Sequence, residues 1–256
     1  MIAAIETKLS VNLNKVALLR NQRDVGYPSV VDAARLVVQA GAHGITVHPR
    51  PDERHIRRTD VTELAALIRA ELPPDIEYNI EGYPTPDFVA LIGEVRPDQV
   101  TLVPDAPDQR TSDHGWDLAR DGERLTPIVA ELRASGARVS LFLDPEPAQV
   151  AGVEHAGADR IELYTGPYAH AFGRMGAKAL LEPYVRTAEA AAELGLGINA
   201  GHDLNLDNLP TFAHAIPQLA EVSIGHAITA DALRIGFPAA VEAYLRALRR
   251  VSLPAA

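Results

Sequence analysis

Two segments of the chain run an apolar stretch into glycine and histidine: Ile198-Asn-Ala-Gly-His202 and Val222-Ser-Ile-Gly-His226. Glycine lets a ligand approach the main chain closely, and histidine exchanges protons near neutral pH. As the ends of consecutive strands they make a phosphate cradle with acid–base groups beside it. Taken singly, each is an ordinary turn glycine followed by a surface histidine. His48 follows Ile45-Thr-Val and precedes Pro49-Arg50, which sets a base next to an anion clamp. Glu81 closes Tyr78-Asn-Ile, where desolvation would lift its carboxyl toward the range of a general base. Glu162 stands between Ile161 and Leu163. It is expected to point into a barrel or its mouth, and needs a cation, a donor or a charge role there. Arg20 and Arg23 follow the first apolar run and suit phosphate recognition or a solvated loop. The cluster Arg54-His-Ile-Arg-Arg58 carries the same two readings. Lys15 is read in a loop, a poor setting for a Schiff-base lysine.

Metal chemistry is the competing use of these groups, because His48, Glu81, Glu162, His202 and His226 are all zinc or manganese ligands by type. None of the histidines is spaced as His-x-His or His-x-x-x-His, and glycine beside both strand-end histidines favours backbone contact with an anion. The 256 residues include no cysteine, which removes disulfides and thiolate sites and fits a reducing cytosol. The opening residues lack the pattern of a signal peptide, and no apolar run approaches a bilayer span. A cytoplasmic location without membrane contact is therefore expected. A net charge of −10 argues against general nucleic-acid binding. Local arginines and backbone N–H groups can still bind small anionic substrates.

These groups need elements to hold them. Short β-like runs are read at Leu9–Asn12, Gly44–His48, Ile76–Glu81, Gln99–Val103, Arg138–Asp144, Arg160–Leu163, Gly197–Asn199 and Glu221–Ile224. They are taken as strands buried on both faces. Amphipathic helical segments alternate with them at Val30–Ala40, Leu64–Leu72, Phe88–Val95, Leu125–Ser135, Ala148–Ala156, Ala177–Leu194 and Ala232–Val251. Gly41, Gly136, Gly157 and Gly195 follow helices, where a left-handed cap is common. Eight βα units in about 250 residues predict a single-domain (β/α)8 TIM barrel with a few extra helices or loops. A doubly wound sheet is the competitor, and no Gly-x-Gly-x-x-Gly opens the first helix. Asn12, His48, Glu81, Asp144, Glu162, Asn199, His202 and His226 fall at or just beyond the C-terminal ends of strands, the face where barrel active sites lie. Asp105–Asp121 and Tyr164–Met175 read as long loops, the first a lid.

The ordered set of motifs is similar to the pyridoxine 5'-phosphate synthase family. It comprises Ser10-Val-Asn-Leu-Asn14 with Leu19-Arg-Asn-Gln-Arg23, Gly41 to Arg50 with Arg54-His-Ile56, Asn79-Ile-Glu81, Leu102-Val-Pro104, Val139 to Asp144, Ile161 to Gly166, Asn199-Ala-Gly-His202 and Ile224-Gly-His-Ala227. The resemblance implies condensation of 3-amino-2-oxopropyl phosphate with 1-deoxy-D-xylulose 5-phosphate, releasing phosphate and water. It implies His48 and Glu81 as proton acceptors, His202 as proton donor and Glu162 as a transition-state stabiliser. Asn12, Asn14, Lys15, Arg23, Arg50, His55, Thr111, Asp203, Gly225 and His226 would hold substrate. A homo-oligomer, an octamer built from dimers, is implied as well, with no metal or organic cofactor expected. Two departures stand out. Many members read Asn-Ile-Asp-His where this chain has Asn12-Leu-Asn-Lys15, and Asp203 replaces a glycine. A metal-dependent isomerase or hydrolase of sugar phosphates, and a non-catalytic binder of phosphorylated metabolites, are the alternative readings.

Overall fold

The strands alternate residue by residue between apolar and polar side chains. The computed structural model describes residues 5–105, 109, 111–174 and 177–249. Its strands are Lys8–Asn12 (β1), Gly44–Val47 (β2), Glu77–Gly82 (β3), Gln99–Leu102 (β4), Arg138–Leu143 (β5), Arg160–Leu163 (β6), Gly197–Ala200 (β7) and Leu219–Ile224 (β8). Each pairs in parallel with the next, and β8 closes on β1. The result is a closed eight-stranded (β/α)8 barrel, and the open-sheet competitor is excluded.

Leu9, Val11, Ile45, Val47, Ile80, Val100, Leu141, Ile161, Ile198 and Val222 pack in the core shell between strands and helices. The residues between them face inward. Thus Gln99 on β4 donates across the barrel to Glu221 on β8 at 3.4 Å. The expectation of strands buried on both faces holds, and only one of those faces is apolar: the barrel interior is polar, and the hydrophobic core is the surrounding shell.

That shell is completed by helices Asn14–Arg20 (α1), Val30–Gln39 (α2), Arg58–Glu71 (α3), Pro86–Val95 (α4), Leu118–Ala134 (α5), Val150–His155 (α6), Gly166–Ala171 (α7), Ala177–Glu193 (α8), Leu209–Ala215 (α9), His226–Ile235 (α10) and Phe237–Leu248 (α11). Ser29 and Thr85 cap α2 and α4 through their hydroxyls, and Pro86 supplies the fixed φ of a helix start. Gly41, Gly136, Gly157 and Gly195 all adopt positive φ, as expected after helices.

Three readings change. Lys15 and Arg20 lie in α1, not in a loop. The segment 148–156 divides into a 3-10 turn, Pro147–Gln149, and α6. The long C-terminal helix is broken at Gly236, whose φ is +81°, and Pro238 in the first turn of α11 explains the restart. Residues 250 and 251 of that expected helix lie outside the described residues. So do 106–108, 110 and 175 of the two expected loops; the second loop contains α7.

Candidate active site

At the C-terminal ends of the strands lies a cavity of about 670 Å³. It is lined by His48, Glu81, Glu162, His202, Asn12, Asn14, Lys15, Arg50, His55, Thr111, Asp203, Gly225 and His226. All the expected site residues therefore converge except Arg23. That arginine is exposed on the turn after α1 and does not line the cavity. Its neighbour Arg20 is buried and donates to Asp60 Oδ2 at 2.9 Å and to the His55 carbonyl at 3.1 Å. Arg20 thus anchors the His55 loop instead of meeting a ligand.

The carboxyl of Glu81, at the end of β3, is the centre of the arrangement. Asn12 Nδ2 donates to its Oε2 at 3.3 Å, Ser223 Oγ approaches Oε1 at 3.5 Å, and His48 Nδ1 lies 3.8 Å from Oε2. The Asn12 amide is oriented by Asn14, whose backbone N–H donates to Asn12 Oδ1 at 3.0 Å. Asn14 Oδ1 in turn accepts the His48 N–H at 2.9 Å. The mouths of β1, β2 and β3 are thereby tied together. Burial raises the Glu81 carboxyl to about 7, with His202 opposing and Asp105 adding to the rise. Glu162 lies deeper and is only 4% exposed. Burial first, then the charges of Glu81 and Glu221, hold it well above the ordinary carboxyl range, so it is a neutral acid. Thr101 Oγ1 donates to Glu162 Oε2 at 3.4 Å.

The imidazoles divide by environment. His48 is held well below its usual value, by burial first and then by Arg50, and is a neutral ring able to accept a proton. His55 is lowered to about 4 by burial, with Arg50 and Lys15 adding to it. His202 lies across the cavity, with Nε2 2.8 Å from Thr111 Oγ1 and Nδ1 3.0 Å from Asp203 Oδ2. Phe142 and Tyr164 wall this ring at centroid distances of 6.4 and 5.7 Å.

The twin glycines act first on the protein itself. A Cβ at Gly201 would stand 2.0 Å from the Ser223 carbonyl oxygen, so β7 and β8 can close only around a bare backbone. At Gly225 a Cβ would meet Asn12 at 3.0 Å. Gly225 also precedes α10, which aims its N-terminal N–H groups at the cavity edge. On the opposite side Arg50 ion-pairs with Asp105 and donates to the Gln109 carbonyl at 3.1 Å, which Arg54 also reaches at 3.0 Å.

Sequence reasoning missed Ser223, Asp105 and Phe142. Ser223 lies two residues after Glu221 and two before Gly225, and the strand period would have placed it inside. Asp105 follows Leu102-Val-Pro at a strand end. Phe142 carried no chemical signal. Among the described residues no group of three or more His, Asp or Glu side chains is set to hold a metal ion. Among them, too, no helix is long and apolar enough to cross a membrane.

The chain is similar to known proteins in sequence and in fold. Residues 9–250 match the model of the family described as pyridoxal phosphate biosynthesis protein PdxJ. A pyridoxine 5'-phosphate synthase of Albidiferax ferrireducens is 57% identical over 247 residues, covering 94% of this chain and 97% of the relative. One of Mesorhizobium japonicum is 57% identical over 242 residues, covering 94% and 98%. In fold alone the chain is similar to Mycobacterium tuberculosis tryptophan synthase, with a TM-score of 0.65 at 13% identity over 96% of this chain and 94% of that one.

Proposed function

The chain belongs to the family of pyridoxal phosphate biosynthesis protein PdxJ, and from that premise we propose how its barrel mouth carries out pyridoxine 5'-phosphate synthesis. The cavity joins 3-amino-2-oxopropyl phosphate to 1-deoxy-D-xylulose 5-phosphate and releases phosphate and water. The observation that carries this reading is that one cavity holds acid–base groups of opposite states between two anion-binding ends.

Forming an imine, losing water and closing an aromatic ring demand repeated proton transfers. A carboxyl at about 7 gives and takes protons at neutral pH with little driving-force penalty. Glu81 is the principal base. Neutral His48, 3.8 Å away, accepts the proton of a second step. Glu162, held neutral, donates a hydrogen bond to oxygen as negative charge develops on it. His202, on the far wall, delivers a proton to a departing group.

One phosphate is assigned to the N-terminus of α10, with Gly225, His226 and the Asp203 backbone. The other is assigned to Arg50, His55 and Lys15, with Asn12, Asn14 and Thr111 orienting the carbon skeletons. Arg23 reaches neither phosphate from its present position. Family membership further supports assembly of identical subunits into an octamer built from four dimers. The exposed Leu19, Val25 and Tyr27 around the end of α1 offer an apolar face for a subunit contact, and sedimentation equilibrium reads the assembly mass in solution.

The direct test combines the purified protein with both verified substrates and follows the absorbance of the new pyridine ring together with released phosphate. The expected result is equimolar pyridine and phosphate. Absence of both at high protein concentration overturns the reading.

A further inference from the structure

A hydroxyl carries a single proton, and inside this barrel the hydroxyl of Thr101 has two acceptors for it. Thr101 lies on β4 and is fully buried. Its Oγ1 is 3.4 Å from Glu162 Oε2 and 3.2 Å from Asn79 Oδ1. The branched Cβ leaves the oxygen few positions, so the proton swings while the oxygen stays. Asn79 is fixed from its other side. Its Nδ2 donates to Thr46 Oγ1 at 3.3 Å, and Thr46 Oγ1 lies 2.7 Å from Ser10 Oγ. All three of these side chains are buried, which turns the Asn79 carbonyl oxygen toward Thr101.

We propose that Thr101 is a positioning residue for Glu162, a swivelling donor that serves Asn79 while the carboxyl is neutral and turns to Oε2 as negative charge gathers there. The contact to Asn79 is the shorter of the two, and an amide oxygen accepts a hydrogen bond better than the oxygen of a neutral acid. An ionised carboxylate reverses that order, because a bond to a charged acceptor is roughly twice as strong. Glu162 works by lending its proton to an oxygen of the substrate, and the lending leaves charge behind on its own carboxyl. The Thr101 proton stays on Oγ1 throughout and changes only its direction. Among the described residues Thr101 is the one hydrogen-bonding partner of that carboxyl. Without it the charge would form in a buried site with no donor to receive it.

The other groups around Glu162 do not supply this help. The strands on either side of β6 place Phe142 and Asn199 beside it, and neither titrates. Glu81 on β3 and Glu221 on β8 face it, and both charges oppose its ionisation. His48, His202, Lys15 and Arg50 line the same cavity without a hydrogen bond to it. Thr101 acts in the opposite direction to burial and to the two carboxylates, favouring the ionised form.

The inference rests on the acid role given to Glu162 above, and its test separates the two. Thr101→Val removes the hydroxyl and keeps the branched shape. Valine suits a strand at least as well as threonine, so the variant folds. Thr101→Ser keeps the hydroxyl and removes the methyl group. Infrared spectroscopy of the substrate-free protein reads the carbonyl stretch of protonated Glu162, identified by its loss in Glu162→Gln, without any turnover. In Thr101→Val that band is expected to survive to a pH higher by about half a unit or more, because the ionised form has lost its donor. In Thr101→Ser it is expected to titrate as in wild type. In turnover, Thr101→Val is expected to lose about tenfold in kcat with KM within about twofold, and Thr101→Ser to stay within about twofold in both. Wild-type titration of the band in Thr101→Val, or equal losses of kcat in the two variants, overturns the inference. Failure of the wild-type protein to turn over overturns the functional reading instead, and leaves the infrared titration to decide this one.

Discussion

Unfolding returns the Glu81 carboxyl from about 7 to its ordinary value of 4.5. Between those pH values the folded chain binds a proton that the unfolded chain has released, so stability falls as pH rises through this window. Glu81→Gln removes the term. Relative to wild type the variant should gain up to about 3 kcal/mol on passing from pH 4 to pH 8, while kcat drops by at least a hundredfold. Urea melts at the two pH values read the first and steady-state rates the second. In wild type, kcat/KM is expected to rise through about pH 7 as Glu81 loses its proton. Glu162 behaves differently because it is already neutral. Glu162→Gln keeps a hydrogen-bond donor of the same shape and should lose about tenfold in kcat, against at least a hundredfold for Glu162→Ala; equal losses would show that the site uses the charge. The type and strand-end position of Glu81, Glu162, His48 and His202 were legible in the sequence. Their protonation states were not, because these depend on which groups face each other across the barrel. Arg23 misled for a related reason: following a strand in sequence does not determine which way a turn residue points.

At the scale of elements, the junction of β7 with β8 is the most constrained part of the mouth. Gly201→Ala forces a methyl group into the Ser223 carbonyl, 2.0 Å from the ideal Cβ. Backbone must move on one strand or the other, and we expect a loss of at least about 2 kcal/mol in stability together with a rise in KM for the phosphorylated substrates. Chemical denaturation and substrate titration measure both. The same change at exposed Gly93, where nothing approaches within 4 Å, should stabilise the helix by roughly 0.5–1 kcal/mol and serves as the control. Helix α1 escaped sequence reading because its seven residues are too few for a periodic signal. The break between α10 and α11 was legible in Gly236 and Pro238, and was obscured by apolar spacing that continues across it.

For the molecule as a whole, the polar barrel interior needs its own account. At the N-terminal end Arg160 Nη1 donates to Asn199 at 2.9 Å and lies 3.6 Å from Glu221, while Arg138 Nη2 lies 2.5 Å from Glu77. Burial, with the nearby Glu77, holds Glu221 well above the ordinary carboxyl range, so this end of the interior holds one ionised and one neutral carboxyl beside two guanidinium groups. Arg160→Leu leaves the buried Asn199 side-chain carbonyl without its donor and should cost about 1–3 kcal/mol, and Glu221→Gln less than about 1 kcal/mol because an amide replaces an acid that is already neutral. Equilibrium unfolding of the two variants compares them directly. The eight-unit alternation announced the barrel. The polarity of its interior was also written in Ser10, Thr46, Asn79, Thr101, Glu162 and Ser223, but burial on both faces does not by itself say which face is apolar.

That alternation has a further consequence for how such a chain can change. Along every strand the shell and the interior occupy alternate letters, so two messages are interleaved in one text. One specifies the scaffold and the other the reaction. A lineage can rewrite every second residue and reach a new chemistry while the hydrophobic spelling that folds the barrel stays intact.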